Sequence, residues 1–165
     1  MAVRPVVQLP ERVLKRRADE LAGVTDEELM SDLIDTMRAS PACVGLAAPQ
    51  IGVSKRAIVV DVSSHPKAKK NHGLVAMFDP VILETEGRLV GREGCMSVPD
   101  LTANVARAVR VVVQGVDQAG RMVVIDTEGF EARAFQHEVD HVDGLVILDR
   151  VASLSTDVFR RQVYR

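Results

Sequence analysis

At 165 residues, 47% apolar and 27% charged, the chain is long enough to enclose one core and has the composition of an ordinary globular protein. Its 21 basic and 23 acidic residues are dispersed, without the basic footprint of a dedicated nucleic-acid binder, so no direct DNA binding is expected. No apolar run reaches the roughly 18 residues of a membrane-spanning helix, and Met1-Ala2-Val3-Arg4-Pro5 lacks the apolar stretch of a secretion signal, so the expected compartment is the cytoplasm, with no membrane partner.

No repeat or linker divides the sequence, and residues 1–165 read as a single domain. The first strong element follows Thr25-Asp26-Glu27-Glu28. Leu29, Met30, Leu33, Ile34 and Met37 recur at helical spacing, and Thr25 with Glu28 fits a capping box. This helix is predicted to run to about Ala39, where Ser40-Pro41 breaks it. Short β-branched runs follow at Arg56–Val62, Leu74–Phe78, Val81–Glu84, Val109–Val116 and Met122–Asp126, the last two joined by a hairpin turn at Asp117-Gln118-Ala119-Gly120. The stretch from His65 to His72 reads as a solvated loop. A second helix is predicted over Phe130–Val142, stopped at Asp143-Gly144, and a short terminal helix from about Ser155. Helices and strands that do not alternate regularly point to an α+β fold, a mostly antiparallel sheet packed around a central helix.

That second helix carries His137-Glu138-Val139-Asp140-His141. Two histidines four residues apart share one helical face and can bind one metal ion, while Glu138 lies beside it, free to hold a water. Phe130, Ala134, His137 and His141 form one stripe, which turns the histidines inward. Isolated histidines at this spacing are ordinarily hydrogen-bonded helix residues; the intervening glutamate is what makes the pattern specific. A catalytic site of this type needs a third protein ligand and an open position. Glu93-Gly94-Cys95-Met96-Ser97 offers Cys95, with Gly94 giving the backbone freedom to aim the thiol. A lone cysteine is ordinarily a small buried hydrophobe. Cys43 is the only other, and a chain of this kind needs no disulfide. Val44-Gly45-Leu46-Ala47-Ala48-Pro49-Gln50 reads either as a small-residue turn or as a flat rim for an extended peptide, with Gln50 supplying an amide donor to a developing oxyanion.

Taken together, the three segments resemble the peptide deformylase family, whose G-x-G-L-A-A-x-Q, E-G-C-x-S and H-E-x-D-H motifs occur here in the same order. The resemblance spans nearly the whole chain. It implies a metallohydrolase that removes the formyl group from the N-terminal formyl-methionine of nascent polypeptides, releasing formate. Cys95, His137 and His141 are the implied metal ligands, and Glu138 the acid–base residue acting on a metal-activated water. Gln50 and the backbone N–H of Met96 are the implied oxyanion donors. Val44, Gly45, Leu46, Glu93 and Gly94 are expected at the substrate, with Val44, Phe130 and Arg133 lining the methionine pocket. One divalent ion is implied, natively Fe2+, replaceable by Zn2+, Ni2+ or Co2+. Implied partners are N-formylmethionyl peptides and nascent chains, with transient ribosome proximity. Asp140 and Arg107 are expected to pair and brace the ligand helix. The chain departs from the family pattern at Cys43, which replaces the first glycine, and at Met96, where leucine is usual. A zinc protease of the H-E-x-x-H type and a silent, metal-loaded relative are the rival readings.

Overall fold

The computed structural model describes residues 2–161, in which two antiparallel sheets flank a buried helix. The elements in chain order are α1 (Glu27–Ala39), β1 (Gly45–Ala47), β2 (Ala57–Val60), β3 (Val75–Glu86), β4 (Leu89–Cys95), β5 (Val98–Arg107), β6 (Arg110–Val116), β7 (Met122–Glu128), α2 (Gly129–Val142) and β8 (Val158–Arg160). The larger sheet has the order β1-β2-β3-β6-β7 and the smaller β4-β5-β8. This is the α+β arrangement expected.

Strand β2 explains how the larger sheet holds both helices. All four of its residues are buried, and successive side chains leave opposite faces. Ile58 and Val60 join Phe135 and Val139 of α2, while Ala57 and Val59 join Leu29, Met30 and Leu33 of α1. An unbroken apolar run is therefore what this position requires. Helix α2 begins directly after β7 and ends at Asp143 with Gly144 in the left-handed region, φ +81°. There the Gly144 N–H donates to the His141 carbonyl and the Leu145 N–H to that of Asp140, closing the last turn.

Four expectations are corrected. The α1 cap is Asp26 and not Thr25, because the helix starts one residue later and the Asp26 carboxylate accepts the Leu29 N–H at 3.0 Å. The runs Leu74–Phe78 and Val81–Glu84 belong to one strand, β3, bridged by a bulge at Asp79-Pro80. Asp79 has φ +49°, and its carboxylate accepts the backbone N–H groups of Leu21 and Ala22, which makes the irregularity an anchor and not an end. Strands β4 and β5 were absent from the sequence reading. Finally, the segment from Ser155 is a turn followed by β8, in which Phe159 pairs with Thr102 of β5; no terminal helix forms there, and Gln162–Arg165 lie outside the described residues.

Candidate metal centre and substrate cleft

The end of β4 and one face of α2 converge on a buried point. Cys95 is the last residue of β4, and His137 and His141 lie one helical turn apart on α2, their ring centroids 5.0 Å from each other. One donor atom from each lies within 4.8 Å of the others, and Cys95 Sγ is 3.3 Å from His141 Nε2. Cys95 and His141 are fully buried, whereas His137 borders the cleft. Burial opposes ionisation of the Cys95 thiol, but the neighbouring His141 charge and hydrogen bonds from both imidazoles outweigh it, holding the thiol well below its ordinary value. Sulfur and two imidazole nitrogens suit a first-row divalent ion, and the buried His141 Nδ1 and Glu138 Oε1 have no hydrogen-bond partner among the described residues. On both counts the donor set fits a metal.

A charged lattice ties β4 and β5 to α2. Glu93 Oε1 accepts from His137 Nδ1 at 2.8 Å and from Arg107 Nη2 at 2.9 Å; its Oε2 accepts from Arg107 Nε at 2.9 Å and Arg133 Nη1 at 2.6 Å. Burial disfavours the Glu93 charge, yet these bonds overrule it and hold the carboxyl well below the usual carboxylate range. Arg107 continues to Asp140, the expected pair, which is 5% exposed at each residue. Arg150 adds a second cation there, donating to both Asp140 oxygens at 3.0 and 2.8 Å. Leaving any of these buried charges unmatched would be costly, so the lattice acts as a unit.

Glu138 stands on the other side of the histidines, 4% exposed, its carboxyl pushed upward by burial against the opposing pull of His137 and His141. Its carboxylate lies so close to Gly45 that a Cβ there would meet Glu138 Oε2 at 2.6 Å. Gly45 thus makes room for Glu138 itself. Gln50, 2% exposed, is oriented by the Ala47 N–H donating to its Oε1 at 3.0 Å; its Nε2 then donates to Ser97 Oγ at 3.2 Å and faces Cys95 Sγ at 3.5 Å.

Above these groups opens a cleft of about 350 Å³, a size that suits a few peptide residues. Val44, Gly45, Gln50, Glu93, Gly94, Cys95, Met96, Phe130, Arg133, His137 and Glu138 all line it. Leu46 does not: its side chain is fully buried in the α1 cluster, and His141 lies beneath the floor. Gly94 has no left-handed backbone, contrary to the freedom expected of it; a Cβ there would meet Arg161 Nη2 at 2.5 Å. Cys43 lines the cleft with its thiol donating to the Gly45 carbonyl at 3.1 Å, and burial pushes it up to about 11. It is a protonated wall residue at neutral pH.

The model of the polypeptide deformylase family matches residues 3–157. The chain belongs to that family. It is 44% identical over 165 residues to the peptide deformylase of Desulforudis audaxviator, covering 98% of this chain and 99% of the other, and 37% identical over 164 residues to that of Thermodesulfovibrio yellowstonii, covering 98% and 97%. Among solved structures, a peptide deformylase from Ehrlichia chaffeensis superimposes with a TM-score of 0.83 at 30% identity, covering 93% of this chain and 90% of that one. A peptide deformylase from Acinetobacter baumannii, solved with Met-Ala-Ser bound, superimposes with a TM-score of 0.82 at 36% identity over 91% and 99%.

Several deformylase-site residues escaped the sequence reading. The part of Glu93 in orienting His137 is invisible because the two are 44 residues apart. Nothing in the sequence alone assigns a role at the site to Arg150, Arg161 or Arg92. His65, read as solvated loop, stacks on Phe130 with ring centroids 4.1 Å apart and lines the cleft. Its company of Pro66, three lysines and Asn71 hid it.

Proposed function

We propose that the chain removes the formyl group from N-terminal formyl-methionine of nascent polypeptides, with Cys95, His137 and His141 holding one divalent ion, Fe2+ in the native protein. When bound, such an ion supplies Lewis acidity, which makes water nucleophilic near neutral pH and polarises a carbonyl. Glu138 takes the proton of the attacking water at its carboxylate and returns it to the departing amine nitrogen, leaving formate and a free methionine terminus. Gln50 Nε2, its carboxamide fixed by Ala47, donates to the formyl oxygen as charge develops there, together with the Met96 N–H. Gly45 and Gly94 border the peptide backbone on the two sides of the cleft, and Val44, Phe130 and Arg133 receive the methionine side chain. Glu93 acts on His137, fixing its ring through Nδ1, as an orienting carboxylate does for a ligand histidine. Met-Ala-Ser bound to the Acinetobacter baumannii relative has the chemistry of the product expected here. Such substrates emerge from the ribosome in the cytoplasm, so transient ribosome proximity and a cytoplasmic location belong to this reading; no helix among the described residues is long and apolar enough to cross a membrane.

The reading is carried by one observation: a buried Glu138 carboxylate oxygen, unpartnered among the described residues, beside a convergent cysteine–histidine–histidine trio at the floor of an open cleft. The test is anaerobic formate release from formyl-Met-Ala-Ser by iron- or nickel-loaded protein, comparing wild type with Glu138→Ala. Wild type is expected to release formate, and the variant to lose roughly 10²–10⁴ in rate while retaining its metal. A metal-loaded wild type that releases none would sink the reading.

A further inference from the structure

The arginines that build the framework of this protein are matched by carboxylates: Arg107 and Arg133 by Glu93, Arg107 again by Asp140, and Arg56 by Asp143. The mouth of the cleft departs from that rule. Lys67, Arg92 and Arg161 all line it, and among the described residues no carboxylate lies within ion-pair distance of any of them. The two acids that share the cleft leave the mouth uncompensated. Glu93 is committed to Arg107, Arg133 and His137, and Glu138 sits at the floor against Gly45.

Neutral groups hold the cations in place. Arg92 lies over the Phe159 ring, 3.7 Å from its centroid, with Nε donating to Asn104 Oδ1 at 3.1 Å and Nη1 to Thr102 Oγ1 at 3.4 Å. Arg161 leaves the end of β8, its backbone N–H donating to the Asp100 carbonyl at 2.9 Å. From there its guanidinium reaches across Gly94, with Nη2 3.5 Å from the Cys95 carbonyl, while the buried Nε has no hydrogen-bond partner among the described residues. A guanidinium over Gly94 stands next to the path a peptide takes past Cys95. Positive charge without internal compensation in a concave site draws negative charge into it.

We propose that Arg161, with Arg92 and Lys67, selects for a side-chain carboxylate one or two residues after the formyl-methionine. The proposal rests on the deformylase reading and adds to it a preference among nascent chains. Arg161 is the specificity-determining residue, since it reaches furthest toward Cys95; Arg92 and Lys67 strengthen the field from the rim.

The test uses C-terminally amidated peptides, so that a side chain and not a terminal carboxylate is the charge compared. The metal-loaded full chain is assayed on formyl-Met-Asp-Ala-amide and formyl-Met-Lys-Ala-amide. At low salt the ratio of kcat/KM, acidic over basic, is expected to be about tenfold and to arise in KM, as two or three partly exposed ion pairs would give. Screening at about 0.5 M KCl lowers the ratio, because the Debye length shrinks to a few ångströms. Arg161→Gln lowers it severalfold, and Arg92→Gln with Arg161→Gln brings it within about twofold of unity. Lys67→Gln, in an exposed loop, gives a smaller drop and serves should the arginine variants fold poorly. Calorimetric binding of the unformylated Met-Asp-Ala-amide and Met-Lys-Ala-amide reads the same preference without turnover. That preference in binding with no formate from any peptide would reject the deformylase reading and support the charge selection. A wild-type ratio near one, or a ratio unchanged in the double variant, overturns the proposal. So does an unchanged ratio accompanied by weakened co-sedimentation with ribosomes, which would assign the rim to RNA.

Discussion

The two sheets of this deformylase divide its labour. The five-stranded sheet faces α2 with Ile58, Val60, Val75, Met77, Val111 and Val113, all aliphatic and buried, and packs them on Ala132, Phe135 and Val139. The three-stranded sheet meets the same helix through Glu93, Arg107, Arg133, His137 and Asp140, held by hydrogen bonds and charge. The apolar interface is non-directional and tolerant, and supplies stability roughly in proportion to area. The charged interface is directional and supplies position. His137 and His141 sit where the two kinds of contact meet, so one face of α2 is anchored while the other is aimed.

That contrast can be broken by substitution, the largest effect first. Arg107→Ala removes the buried cation that Glu93 and Asp140 share, leaving Glu93 with Arg133 and His137 and Asp140 with Arg150 alone, and is expected to cost about 5 kcal/mol in stability. It should also loosen the metal, read as the ion retained after gel filtration; unchanged stability and unchanged retention would refute the positional role of the lattice. Phe135→Ala, in the apolar interface, should cost about 4 kcal/mol in denaturant unfolding. Its folded fraction should keep wild-type metal affinity, and a matching loss of affinity would erase the distinction between the two sheets. Glu93→Gln is the sharpest and smallest of the three. It keeps the shape but removes the charge that orients His137, and metal affinity is expected to fall about 10- to 100-fold, measured by competition with a chelator. An affinity within twofold of wild type would show that Glu93 serves the sheet alone.

The same division decided what could be read from the sequence. Strands β2, β6 and β7 were legible because their β-branched runs face an apolar layer, and α2 was legible from its stripe and its Gly144 stop. Strands β4 and β5 were not. In β5 the inward positions are Ala103, Val105 and Arg107, so the alternation ends on a buried arginine where a hydrophobe would signal a strand. In β4, Gly91, Arg92, Glu93 and Gly94 break any β pattern, because their neighbours are guanidinium groups and not core. The motif residues nevertheless stood out, the histidine pair with Glu138 from its spacing and Cys95, Gln50 and Gly45 through the family resemblance. Cys95, His137 and His141 do converge, and Gln50, Glu138 and Gly45 gather around them. What stayed hidden was everything that depends on distance along the chain: Glu93 reaching His137, Arg150 joining Asp140, and Arg161 returning over Gly94.

The site straddles a seam. Cys95 belongs to one sheet, and the histidines ride on a helix whose other face is bound to the second. An ion held by this trio would be gripped from both sides, a rivet as well as a reagent, its binding free energy added to the cohesion between layers. Loss of the ion would cost this molecule its chemistry and part of its cooperativity together, with the smaller sheet free to open before the larger one melts.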